Sequence, residues 1–267
     1  IDSAAPANPS WLNVYWLLAG MCVLVIVLLA GSRMDESAAH TEKTNSMRGS
    51  IMEMLRLFVR PLVYVFLASA FLYVLIEQSF GTWLPTFNNE ILKLPNAMSI
   101  QFASILAGMT ALGRIGAGVV LKRVRWHVLL NVCVVAMAVL VVVVLPLARG
   151  VVAQPHVGWF NAPIAAYLIP LLGLLMAPIY PVINSVALSS LPKPMHAAMT
   201  GLIVVFSALG GTMGSYITAR VFASFDGIHA FYFSLLPMTL ILITLFFFKR
   251  ETDRAAVVAM PSAEALP

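Results

Sequence analysis

Seven runs of predominantly apolar residues follow one another along the chain, near positions 12–31, 62–84, 98–121, 127–147, 162–188, 197–222 and 228–248. A helix rises about 1.5 Å per residue, so roughly 20 residues cross about 30 Å of hydrocarbon. Runs of this length predict membrane-spanning helices rather than the short alternating strands of a barrel. The segments between them, LPTFNNEILKLPN, ARGVVAQPHVGW and SSLPKPMH, are rich in Pro, Gly and charge and predict loops. One longer polar stretch, SRMDESAAHTEKTNSMRGS, separates the first run from the other six and reads as a linker with a basic end. The expected organisation is an external segment and one span over 1–31, a linker over 32–60, a six-helix bundle over 61–250 and a tail over 251–267.

Polar residues are distributed unevenly among the runs. The first, fourth and seventh carry almost none, whereas the second, third, fifth and sixth hold Glu, Gln, Asn, Tyr, Ser, Thr and many Gly. That rhythm predicts three-helix repeats in which two helices pack inward and every third faces lipid. Gly81 and Pro85 interrupt the second run, and Pro170, Pro178 and Pro181 interrupt the fifth. These runs open the two successive triplets. Interruptions at corresponding places in two repeats point to a solute site near the membrane midplane, where a broken helix leaves backbone groups free.

Within the second run Ser69, Tyr73 and Glu77 recur at four-residue intervals, with Gly81 next in line, so they share one helix face. Counting from Pro61, Glu77 lies about 24 Å along the helix, inside the membrane. A carboxylate facing lipid costs kilocalories per mole, so this face is expected to line a water-filled cavity. Three roles remain open for Glu77: hydrogen bonding to substrate, proton carriage, and an outward gate or structural pair. Tyr180 and Asn184, four residues apart, offer a hydroxyl and an amide to a polyhydroxylated solute, and Gln101 with Ser104 could do the same from the third run. Trp83 is a candidate for stacking on a sugar ring or for the interfacial aromatic belt. Ser207, Gly210, Gly211, Gly214 and Thr218 form a small-residue stripe that predicts close helix packing.

Composition makes the bilayer the solvent: 61% of the 267 residues are hydrophobic and only 10% charged, and mean hydropathy is +0.93. The formal charge of +5 is split among loops, with no aromatic-basic surface, and so does not point to nucleic acid. Arg33, Lys43, Arg48, Arg56, Arg60, Lys122, Arg123, Arg125, Lys193, Lys249, Arg250 and Arg254 share one side, while Lys93, Arg149 and Arg220 lie opposite. The positive-inside rule then predicts a cytoplasmic linker and C-terminus and an external N-terminus. Cys22 and Cys133 fall inside runs and read as small apolar residues; the five histidines are scattered, with no metal-ligand spacing. The chain opens IDSAAPANPSW, without an initiator methionine or signal-peptide pattern, and is expected to be a fragment.

The third run ends GMTALGRIGAGVVLKRVRW, placing Gly113, Arg114 and Gly118 just before a short basic loop with Lys122 and Arg123. This resembles the Gly-Arg-x-x-x-Gly signature between the eighth and ninth helices of the major facilitator superfamily. The resemblance implies that Gly113 and Gly118 permit close helix contact and that Arg114 and Arg123 help latch the cytoplasmic side; read alone, Gly116 and Gly118 are packing residues and Arg114 snorkels to the interface. Lys122 stands where the signature often has aspartate. YVLIEQSFGTW is similar to the seventh helix of the fucose, galactose and glucose proton symporter family, and GLLMAPIYPVIN and TGLIVVFSALGGTMGSYI resemble its tenth and eleventh. The implied fold is an all-α polytopic membrane protein whose last six helices form the C-terminal bundle of a major facilitator carrier, with the N-terminal half absent. The implied function is not enzymatic: proton-coupled uptake of a sugar or similar small polar solute across a bacterial inner membrane, with the lipid bilayer and the missing half as partners, no cofactor and no nucleic acid. A proton-driven efflux carrier for drugs or organic anions and a non-transporting scaffold or sensor remain alternatives.

Overall fold

The computed structural model describes residues 12–32, 47–153 and 156–259. The expected external segment before residue 12, most of the polar linker with Arg33 and Lys43, and the end of the tail lie outside the described residues. Helix α1 (Leu12–Gly31) belongs to a separate unit. Its side chains are exposed all round and its hydropathy of 2.5 fits a membrane span.

The second unit contains α2 (Met47–Phe58), α3 (Pro61–Glu90), α4 (Asn96–Val120), α5 (Trp126–Leu147), α6 (Ile164–Leu168), α7 (Leu171–Met176), α8 (Ile179–Ser189), α9 (His196–Ser224), α10 (Gly227–Tyr232) and α11 (Leu235–Ala259). Six spans result: α3, α4, α5, the chain of α6 to α8, α9, and α10 with α11. Pro61 starts α3 at a position where its missing N–H would be unpaired anyway. The turn into α4 is tied by side-chain amides: Asn88 donates to the Ser99 carbonyl at 3.2 Å, and Asn89 to the Leu94 carbonyl at 2.8 Å. Aromatic rings fill the core between α3 and the last span, with Phe231 of α10 4.7 Å from Phe80 and 4.4 Å from Phe87, centroid to centroid.

Four expectations need correction. First, α3 is unbroken through Pro85. Proline removes the hydrogen bond to the Gly81 carbonyl, yet the helix continues to Glu90 and absorbs the distortion. The fifth span does break, at Pro170 and Pro178, whereas Pro181 sits harmlessly in the first turn of α8. Second, polar spans are not uniformly the buried ones: 61% of the fifth span's core and 50% of α3's are buried, but only 17% of α4's, against 39% for apolar α5. Third, the stretch 32–60 is not all linker, since α2 packs on the bundle through Leu57 and stacks Phe58 on Phe206 at 5.5 Å. Apolar residues spaced three and four apart within a polar composition produce this. Fourth, α11 runs to Ala259, past the expected start of the tail.

Two seams bring backbones together. A Cβ at Gly210 or Gly214 of α9 would collide with the carbonyl oxygens of Phe71 and Leu75 on α3, and at Gly214 it would stand 2.8 Å from the Leu75 Cα. On the other side, a Cβ at Gly173 of α7 would collide with the Leu106 carbonyl and stand 2.8 Å from Thr110 Oγ1, while one at Gly113 of α4 would collide with the Leu174 carbonyl and stand 2.6 Å from the Ala177 Cβ. Leu174 is the residue whose carbonyl loses its helical partner to Pro178. The proline that breaks the helix thus leaves an oxygen that only a glycine can approach.

Candidate functional site

Helices α3 and α4 are consecutive and antiparallel. Helical side chains lean toward their own N-terminus. Glu77 on α3 therefore leans toward the linker-side end, and Arg114 on α4 leans away from it, so the two converge. Both line an open cavity of about 390 Å³ with Gln78, Gly81, Ala103, Leu106, Ala107, Thr110, Ala111 and Met176. Arg114 is close enough to act on Glu77 and Tyr73 through its charge, but no hydrogen bond or ion pair holds its guanidinium among the described residues. An opposite charge in the same cavity makes each of these groups tolerable within a membrane span.

Glu77 is held from behind. Buried Tyr73 donates its hydroxyl to Glu77 Oε1 at 3.1 Å, and the Tyr73 ring stacks on Tyr180 of α8 with centroids 5.7 Å apart. The Tyr180 hydroxyl in turn bonds Ser207 Oγ of α9 at 2.9 Å. A carboxylate on α3 is thereby linked to the broken span and to α9 through two phenol rings. Oε1 is occupied by tyrosine, which leaves the second carboxylate oxygen, the Gln78 amide and the five guanidinium donors of Arg114 for a solute.

Of the six residues expected to bind substrate, Glu77, Tyr73 and Tyr180 come together in this way. The other three stand elsewhere. Trp83 spends its indole N–H on Ser215 of α9, 3.1 Å from the carbonyl and 3.3 Å from the hydroxyl, and packs on Phe222. Gln101 is exposed on α4 outside the cavity wall, and Ser104 beside it donates to its own helix at Ile100. Asn184 lies on α8 with its side-chain oxygen buried and unpartnered. Gln78 and Thr110 line the cavity but were not among the expected binding residues. Gln78 adjoins Glu77 in sequence, and Thr110 lies one helical turn before Arg114, which was the available signal.

The expected latch residues separate. Gly113 is a close-contact position, but Gly118 and Gly116 have nothing within 4 Å of where a Cβ would stand, so neither is a packing glycine here. Arg114 lies six residues inside the end of α4 and lines cavities rather than reaching the helix end. Arg123 is exposed in the α4–α5 loop. A second cavity of about 460 Å³ lies between α4 and α8, bounded by Arg114, Ala117, Gly118, Trp126, Pro178 and Pro181 among others. Along α9, Gly211 has the Gln78 side chain 3.2 Å from its Cβ position, a looser fit than at Gly210 and Gly214.

A family model described as Major Facilitator Superfamily matches residues 4–215. No curated protein matches the chain. Among solved structures, a variant of the Escherichia coli fucose:proton symporter superposes with a TM-score of 0.66 at 17% identity, over 88% of this chain and 54% of that one. The chain thus spans about half the length of that symporter.

Proposed function

Because the chain belongs to the major facilitator superfamily, we propose that it is the solute-binding C-terminal half of a secondary active carrier that takes up a sugar or similar small polar solute with protons. The observation that carries this reading is the membrane-embedded cavity with a carboxylate, an amide and a guanidinium in its wall. Glu77 and Arg114 offset one another in charge, which suits a neutral polyhydroxylated solute: hydroxyl protons bond to the free oxygen of Glu77, and hydroxyl oxygens accept from Arg114 and Gln78. Tyr73 fixes the carboxylate, and its stacking on Tyr180 ties occupancy of the cavity to the broken span. The similarity to a fucose:proton symporter supports the solute class and the coupling ion.

A single bundle supplies one wall of a central cavity, so the other wall comes from a partner N-terminal half, and the two halves rock about the solute. The basic loops support an orientation with the linker and C-terminus in the cytoplasm. The test is reconstitution of the full carrier in liposomes with a panel of neutral sugars, organic anions and apolar cations. Accumulation of a neutral sugar driven by an inward proton gradient is expected. Transport of apolar cations or organic anions with no response to any sugar would overturn the proposal.

A further inference from the structure

Helix α2 is apolar on two faces, and the bundle covers only one. Met54 reaches Gly201 of α9, its Cε lying 3.1 Å from the position a Cβ would take there. Leu57 is buried, Phe58 stacks on Phe206, and Tyr64 of α3 meets the Phe58 ring edge-on at 6.0 Å. These contacts lie in the first turn of α3 and the second and third turns of α9 and set α2 against the linker-side parts of two spans. A second face, made by Ile51, Met52 and Leu55 with Val59 just past the helix, is 51%, 53%, 57% and 79% exposed. Arg56 and Arg60 border it and are exposed too.

The same end of the bundle is strongly basic. Lys122, Arg123 and Arg125 in the α4–α5 loop and Lys193 before α9 are all exposed there. The described acidic side chains at this end, Glu251 and Asp253, are neutralised by Arg254 at 2.6 Å and Lys249 at 2.7 Å. An apolar helical face beside the linker-side parts of membrane spans, edged by arginine and set in an unpaired basic rim, is complementary to one medium: acyl chains below and anionic headgroups above.

We propose that α2 is an interfacial helix that docks the linker-side end of the carrier on anionic phospholipid, with Ile51, Met52, Leu55 and Val59 sunk into the acyl boundary and Arg56 and Arg60 on phosphate. Phosphatidylglycerol is the headgroup chemistry that tests it. A Leu55→Cys form of the full carrier, in a background with its other cysteines replaced, is labelled with an environment-sensitive fluorophore and reconstituted in phosphatidylcholine vesicles with and without phosphatidylglycerol. Expected are a blue-shifted emission, quenching by brominated acyl chains, resistance to aqueous iodide, and a further gain in acyl quenching when phosphatidylglycerol is present. Adding Arg56→Gln and Arg60→Gln should remove that gain and leave the phosphatidylcholine signal in place. Iodide quenching without acyl quenching would put the face in water, and quenching by neither would put it under protein; either result overturns the proposal. A gain that survives loss of both arginines would overturn their assignment to headgroups. The same label at Val59 serves as a second position should Leu55→Cys fold poorly.

Discussion

The two cavities beside α4 are of similar volume, about 390 and 460 Å³, and share the Arg114 side chain, yet their linings have little else in common. The one toward α3 presents Glu77, Gln78 and Thr110. The one toward α8 presents Ala117, Gly118, Leu121, Trp126, prolines and valines, with Ser185 as its other polar side chain. The first cavity offers a carboxylate, an amide and a hydroxyl beside the guanidinium, whereas the second offers the guanidinium and Ser185 in a wall that is otherwise mostly apolar. The difference follows from the broken span: its prolines line the apolar cavity, and one of them frees the carbonyl that Gly113 covers. We read the first space as the binding surface and the second as slack beside the broken span.

The comparison breaks most severely at Gly113. Gly113→Leu forces carbon into the Leu174 carbonyl and should destabilise the bundle by about 3 kcal/mol, the upper range for overpacking. Gly118→Leu projects into open space in the apolar cavity and should shift stability by less than about 0.5 kcal/mol. Thermal unfolding of the two variants in the same detergent checks the contrast, and equal losses would remove the distinction between seam and slack.

Arg114→Gln tests which cavity needs the charge. Losing a charged hydrogen-bond donor should weaken solute binding by about 1.5–3 kcal/mol, roughly ten- to 150-fold in Kd. Equilibrium binding of the transported solute measures it. An unchanged Kd would move the site away from this wall.

The smallest effect lies far from both cavities. Asp226 caps α10, accepting from the backbone N–H of His229 at 2.8 Å and from its Nδ1 at 2.8 Å. Burial, the largest single influence, raises the carboxyl, but the hydrogen bonds and charge of His229 with the backbone N–H of Ile228 together outweigh it and hold Asp226 below the usual carboxylate range. A depressed folded value means that the contribution is complete above the unfolded value of about 4 and is lost as pH falls through the folded one. Asp226→Ala should therefore cost about 1 kcal/mol or less at neutral pH, and the gap to the parent should close in strong acid. Unfolding at several pH values reads this out.

Much of the fold was legible because bilayer thickness dictates run length: seven spans were expected and seven apolar stretches long enough to span are present among the described residues. What escaped depended on neighbours. Nothing local distinguishes Pro85, which a helix tolerates, from Pro178, which ends one. Helix α2 was hidden because its apolar residues are diluted by polar ones and reveal themselves only by spacing. Arg114 was read either as a latch residue or as snorkelling to the interface, and the structure sets it in the walls of two cavities. Tyr73 and Glu77 were placed on one face by their interval, and the structure joins them by a hydrogen bond. Trp83 was drawn toward the solute by proximity in sequence, but its N–H is taken by Ser215.

The central claim, that the Glu77 cavity receives the solute, is tested most directly by the dissociation constant of the transported solute for Glu77→Gln in the full carrier, measured at equilibrium beside solute exchange without a driving gradient. The account predicts binding weaker by about 1.5–3 kcal/mol, because an amide replaces the charged acceptor that Tyr73 holds in place. Unchanged affinity together with unchanged exchange would contradict it and leave Glu77 as a solvated carboxylate beside an empty space.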